Sequence, residues 1–208
     1  MPNIFTLFPS TLATYDVKEN LSNLDLVKTV EFNTKNGDGS MYSYVTKDLK
    51  LLDTTFPEIK KIIITYFNEF KNNVLKYTTT DFEITTSWAT KTEPQGFCQN
   101  HAHRNSFYSG VLYWQDIENT SNLSFTNPIN YGFYIDSPYP NDFNALTYTL
   151  EYKKNLLVFF PSYLEHRILT NNSSKIRYSL AFNFFPIGSL GRGDSQINVL
   201  LKHNNREK

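Results

Sequence analysis

Residues 99–114 read QNHAHRNSFYSGVLYW. His101 and His103 stand two apart, just before an aromatic, β-branched run, SFYSGVLYW (106–114). In an extended strand residues i and i+2 point to one face, so the two imidazoles can converge on a single point. Neutral imidazole is the commonest metal ligand, and a site that keeps positions open for substrate needs at least a third ligand. His166 is the candidate, because it closes LLVFFPSYLEH (156–166), a second strongly apolar strand. An isolated pair of this kind is also what two surface histidines at a strand end look like. The rest of the chain has to decide between them.

The flanking sequence reads as β. DFEITTSWAT (81–90) alternates Phe82, Ile84, Thr86 and Trp88 against Glu83, Thr85 and Ser87. Further strands are expected at 123–125, TYTLEY (147–152), LLVFF (156–160) and KIRYSLAFNFF (175–185), separated by turn-rich stretches such as 116–122 and 135–143. Strands at this density indicate a sandwich or barrel. Upstream, residues 3–14 read as an opening strand with a turn at Pro9-Ser10. Asp16 offers an N-cap for a short helix over 17–30, and NGDG (36–39) marks a loop within 33–47. Phe56, Ile59, Ile63, Phe67, Phe70 and Val74 recur at spacings of three and four, which predicts an amphipathic helix over 56–76. Asp53 or Thr54-Thr55 would cap it, and Pro57 falls in its first turn, where a missing N–H costs nothing. One β-rich domain over 1–186, with helical cover at its N-terminal end, is the expectation, followed by a polar tail at 187–208. His203 lies in that tail and reads as solvated.

Composition narrows the partners. With 208 residues the chain can bury a sizeable core without disulfide or structural metal. Its formal net charge is zero, which argues against an electrostatic footprint for nucleic acid or an anionic membrane. No apolar run approaches the roughly 18 residues of a membrane span, and no signal-peptide pattern opens the chain. The single Cys98 cannot pair within the chain and suits a reducing compartment, so a cytoplasmic location is expected. Cys98 reads as a small buried hydrophobe, with a thiolate ligand as the alternative.

Eleven residues beyond His166 stands Arg177. Alternation puts Arg177, Ser179, Ala181 and Asn183 on one face of their strand, and Ile176, Tyr178, Leu180, Phe182 and Phe184 on the other. The second set is uniformly large and apolar and should pack on another layer. The first places a charge, a hydroxyl and an amide inside a core-like strand. A buried guanidinium without a partner costs several kcal/mol, and its natural mate is a carboxylate held through two nitrogens. That carboxylate belongs either to a ligand or to an internal residue such as Glu151 or Glu165.

These residues carry a resemblance. HAH (101–103), a distal His166 and R-x-S at 177–179 resemble the iron(II)- and 2-oxoglutarate-dependent oxygenase superfamily, and within it a small uncharacterised branch of 2OG-Fe(II) oxygenases. The elements LFP (7–9), SW (87–88), HAH, SGVLY (109–113), FPSYLEH (160–166) and RYSLAFN (177–183) occur in order over residues 4–186. The resemblance implies a mainly β fold, a double-stranded β-helix (jelly roll, cupin-like), with metal at the barrel mouth. It implies Fe(II) on His101, His103 and His166, and 2-oxoglutarate as cosubstrate with its distal carboxylate on Arg177 and Ser179. Asn183 shares that face and is a further candidate contact to cosubstrate or substrate. The implied activity is hydroxylation of an unknown substrate, such as an amino-acid side chain, using 2-oxoglutarate and O2.

The chain departs from the superfamily at His103, where the usual triad of two histidines and one carboxylate has its acid. A carboxylate from elsewhere, with Glu165 and Asp116 as candidates, is one alternative. A zinc-dependent, cupin-like hydrolase or isomerase is another, since three histidines with an open position also make a catalytic zinc set. A third has His103 beside the ligands rather than among them, with one iron position vacant; a non-catalytic jelly-roll binding module is a further reading of the whole chain.

Overall fold

The computed structural model describes residues 2–34, 39–129, 135 and 137–202. The strands among them are β1 (Ala13–Asp16), β2 (Met41–Val45), β3 (Asp81–His101), β4 (Tyr108–Leu112), β5 (Leu123–Thr126), β6 (Thr147–Leu150), β7 (Leu156–Pro161), β8 (His166–Ile168), β9 (Arg177–Leu190) and β10 (Ile197–Val199). Their hydrogen-bonded order is β1-β7-β4-β9-β3-β8-β5-β6, with β2 also on β3 and β10 on β9, and the named pairs are antiparallel. This shuffled order curls the sheet on itself into a jelly roll, as expected.

Strand β3 makes the curl. Its first part, Asp81–Thr92, pairs with β9, and its last part, between Cys98 and His101, pairs with β8 in the second layer. The corner lies at Glu93–Gly96. Gln95 takes a left-handed φ of 62° and donates its N–H to the Asn171 carbonyl at 2.8 Å. A Cβ on Gly96 would stand 2.5 Å from the Tyr42 carbonyl oxygen, so only glycine lets the backbones approach this closely.

Side-chain alternation divides the interior in two. Tyr108, Leu112, Leu157, Phe159, Leu180, Phe182 and Phe184 face outward, onto α1 (Leu51–Thr54) and α2 (Pro57–Phe70). From α2, Ile59, Ile63, Phe67 and Phe70 are buried there, and Phe67 stacks on Phe184 with centroids 3.8 Å apart. Each such side chain contributes about 1.5–3 kcal/mol by leaving water. Val111, Tyr113, Leu123, Phe125, Val158 and Phe160 point the other way and fill the space between the two layers.

Several local expectations are corrected. Phe82, Ile84, Thr86 and Trp88 do not share a face. A β-bulge between Ile84 and Thr86 inserts one residue, sending Phe82 and Ile84 to the helix side and turning Thr86 and Trp88 into the barrel. Lys50 Nζ donates to the carbonyl of the extra residue, Thr85, at 2.6 Å. The first helix is a 3-10 helix over Ser22–Thr29 with no side-chain cap. The long helix ends at Phe70 in a π-turn over Lys71–Leu75, leaving Val74 exposed, and no side chain caps its start, although Pro57 opens it as expected. The opening strand is confined to Ala13–Asp16, where β7 offers it an edge, and Leu7 and Phe8 are 77% and 96% exposed. Within 33–47, Met41–Val45 forms β2 rather than loop, while Asn36, Gly37 and Asp38 lie outside the described residues, as does His203. The boundary drawn at residue 186 falls inside β9, which runs to Leu190 and pairs with β10. No described helix is long and apolar enough to cross a membrane.

Candidate metal and cosubstrate site

His101 ends β3, His166 opens β8, and the two residues are paired across those strands. His103 follows in the turn, its main-chain N–H donating to the Ser162 carbonyl at 3.0 Å. The three rings gather with centroids 4.5–5.2 Å apart, and one ring nitrogen of each lies within 4.8 Å of the others. The Nε2 atoms of His101 and His103 are 3.2 Å apart.

The opposite edges of the rings settle their tautomers. Nδ1 of His101 meets the Gln99 carbonyl at 2.8 Å, Nδ1 of His166 the Leu164 carbonyl at 2.9 Å, and Nδ1 of His103 the Asn183 Oδ1 at 2.6 Å. A carbonyl oxygen only accepts, so each Nδ1 carries the hydrogen, and a neutral ring then has its lone pair on Nε2. Burial holds the His103 and His166 rings neutral. It pushes His103 down to about 4, with the Asn183 bond opposing and His101 reinforcing. It pushes His166 down to about 3, helped by the charge of His101. Three converging imidazole nitrogens are a donor set for a divalent cation. Among the described residues no carboxylate joins them. Glu165 accepts from Asn100 Nδ2 at 2.7 Å, and Asp116 lies 3.8 Å from Lys154. Cys98 lines the same cavity, where it receives the Ser40 hydroxyl at 3.3 Å, and stands outside the ligand cluster.

The cavity beside the histidines has a volume of about 580 Å³ and is lined by Thr86, Trp88, Thr90, Tyr113, Phe160, Ser179, Ala181 and Asn183 among others. The Trp88 ring stands 5.3 Å from the His103 ring, centroid to centroid. Arg177 is fully buried at the start of β9, opposite Thr92. Its Nη2 donates to Thr92 Oγ1 at 3.3 Å and its guanidinium lies 5.2 Å from the Tyr113 ring centroid. No hydrogen bond of ordinary geometry reaches Nε, Nη1 or the Tyr113 hydroxyl from the described residues, although Tyr113 and Arg177 lie close enough to interact with each other. Neither Glu151 nor Glu165 pairs with Arg177, so among the described residues the charge has no carboxylate. These orphaned donors suit a carboxylate brought by a ligand.

Asn183 is already engaged, with Oδ1 accepting from His103 and Ser109 and Nδ2 donating to Thr86. Ser109 and Ser162 received no role from sequence, although both stand in the motifs quoted above. Alternation was the available signal for Ser109, which shares its face with Val111 and Tyr113.

Comparison with known proteins agrees with this geometry. Residues 86–183, a span that holds all six candidate residues, match the family described as "Putative 2OG-Fe(II) oxygenase". No curated protein matches the sequence. Among solved structures the fold is similar to a Pseudomonas putida prolyl-4-hydroxylase (16% identity, 84% of this chain and 92% of that one, TM-score 0.52). It is also similar to HygX from Streptomyces hygroscopicus, solved with nickel, 2-oxoglutarate and hygromycin B (8%, 84% and 82%, TM-score 0.58). A third is the viral collagen prolyl hydroxylase from Paramecium Bursaria Chlorella virus-1, as its 2OG complex (14%, 83% and 94%, TM-score 0.52). The matched segment carries the three-histidine cluster, and the jelly roll around it is similar to those of 2-oxoglutarate- and iron(II)-dependent oxygenases.

Proposed function

We propose that the chain is a hydroxylase acting on an amino-acid side chain in a peptide. One oxygen atom of O2 enters a C–H bond of that substrate, and the other leaves in succinate as 2-oxoglutarate loses CO2. His101, His103 and His166 hold Fe(II) through Nε2, and Arg177 and Ser179 receive the distal carboxylate of 2-oxoglutarate. Bound Fe(II) supplies oxygen activation; the protein supplies binding, orientation and a dry cavity. Three neutral imidazoles leave the metal its full double charge, which a dicarboxylate neutralises. Arg177 keeps the N–H groups of Nε and Nη1 for a ligand, and either one, with the second N–H of Nη2, makes a two-nitrogen fork to the far carboxylate. Phe160 and Val111 keep water from the inner wall. The peptide substrate is suggested by the prolyl hydroxylases of like fold. A reducing, cytoplasmic location goes with the unpaired Cys98.

The observation that carries this reading is Arg177, a fully buried cation with two unsatisfied donors in the barrel that also holds the histidine cluster. A zinc hydrolase would use the three histidines but give Arg177 no dicarboxylate. The test is conversion of 2-oxoglutarate to succinate with Fe(II) and O2 across a peptide library. The protein should turn over, and His166→Ala should lose at least about 100-fold, the scale on which altered metal sites fail. Full turnover in the variant would overturn the assignment.

A further inference from the structure

The wall behind His103 is a closed hydrogen-bond network. Asn183 Oδ1 accepts from His103 Nδ1 at 2.6 Å and from Ser109 Oγ at 2.7 Å, while Asn183 Nδ2 donates to Thr86 Oγ1 at 3.0 Å. Ser109 Oγ also lies 2.8 Å from Ser162 Oγ and 3.0 Å from His103 Nδ1; with its one proton given to Asn183 Oδ1, it can only accept at those two contacts. Ser109, Ser162 and Asn183 are all buried. The register supports this arrangement, because β4 and β3 set Ser109 and Thr86 directly opposite Asn183 on its two sides.

We propose that Asn183 is a positioning residue that acts through His103. It holds that ring as the Nδ1–H tautomer, with the Nε2 lone pair turned toward His101 and His166, and Ser109 fixes the amide in turn. With Nδ2 committed to Thr86, Oδ1 is the atom left for the imidazole, and an oxygen acceptor selects a single tautomer. Position 103 is thereby built for an imidazole. The ring spans from Asn183 on one edge to the Nε2 of His101 on the other, a reach that the shorter aspartate side chain lacks. An aspartate would also set its charge against the Asn183 oxygen. The departure from the usual triad is thus supported by its surroundings and is not a lost carboxylate. The inference rests on the histidines being metal ligands, and is independent of which reaction follows.

The test begins on metal-free protein with ¹⁵N-labelled histidine at neutral pH, where long-range ¹H–¹⁵N spectra report each ring's tautomer. His103 should show a protonated Nδ1 and a bare Nε2; a protonated Nε2 overturns the proposal. Asn183→Leu should give a mixed tautomer and weaken Co(II) binding, measured by calorimetry, about 10–100-fold. Asn183→Asp, which keeps the acceptor, should restore the tautomer and most of the affinity, and also serves if the leucine variant fails to fold. Affinity unchanged in Asn183→Leu, or unrescued in Asn183→Asp, overturns it. His103→Asp should bind Co(II) more weakly than the parent, and equal binding would remove the claim that the position is built for imidazole. Should these results hold while no 2-oxoglutarate is consumed, the proposed reaction fails and this inference stands.

Discussion

A buried neutral imidazole makes a protein sensitive to acid. His103 is held near 4 and His166 near 3, both below the ordinary histidine value of 6.5. Above pH 6.5 neither the folded nor the unfolded chain carries these protons, and they contribute nothing to the pH dependence. As the pH falls below 6.5 the unfolded chain takes them up while the folded chain does not, so stability drops until the folded values are reached. The slope is on the order of 1 kcal/mol per histidine for each pH unit. Metal-free protein should therefore melt at a clearly lower temperature at pH 5 than at pH 7. A flat melting profile over that range would mean that the rings are not held neutral. The residues behind this behaviour were legible in the sequence as metal candidates. Their orientation was not, because the acceptors are the backbone oxygens of Gln99 and Leu164 and an amide on a strand 80 residues from His103.

Strands carry the next lesson. On β9 the two-residue period runs unbroken from Arg177 to Phe184, and the division into site face and core face could be read directly. On β3 the same rule misplaced Thr86 and Trp88, because the bulge at Thr85 inverts the period and no glycine or proline marks it. The exposed Leu7-Phe8 stretch failed for another reason: apolar residues make a strand only where a neighbour has a free edge. Gly110 is a second site of close approach. On β4 it lies between Phe159 and Phe182, and an added Cβ would stand 2.4 Å from a Phe182 ring carbon and 2.7 Å from the Val158 carbonyl oxygen. Gly110→Ala should therefore lose about 1–3 kcal/mol in urea unfolding, the usual cost of overpacking. A neutral result would mean that β4 can slide away from its neighbours.

At the scale of the molecule, one barrel does two jobs with opposite faces of the same strands. The outward faces of β4, β7 and β9 grip the helices through aromatic packing, which leaves the inward faces free to hold polar groups that would otherwise weaken a core. The helix cover and the β-rich class were legible from period and turn spacing. The crossing of β3 from one layer to the other depends on the contact between Gly96 and Tyr42, which no local pattern reveals. The central claim is that this barrel brings a three-histidine metal site and a buried cation to one dicarboxylate. Its most direct test is anaerobic reconstitution with Fe(II), titrated with 2-oxoglutarate while the visible charge-transfer band of an iron-chelated keto acid is followed, with Arg177→Leu beside the parent. The account predicts a saturable band in the parent and about 2–5 kcal/mol weaker 2-oxoglutarate binding in the variant. The variant should melt no lower than the parent, because an uncompensated buried charge has been removed. No band in the parent, or an unchanged affinity in Arg177→Leu, would contradict it.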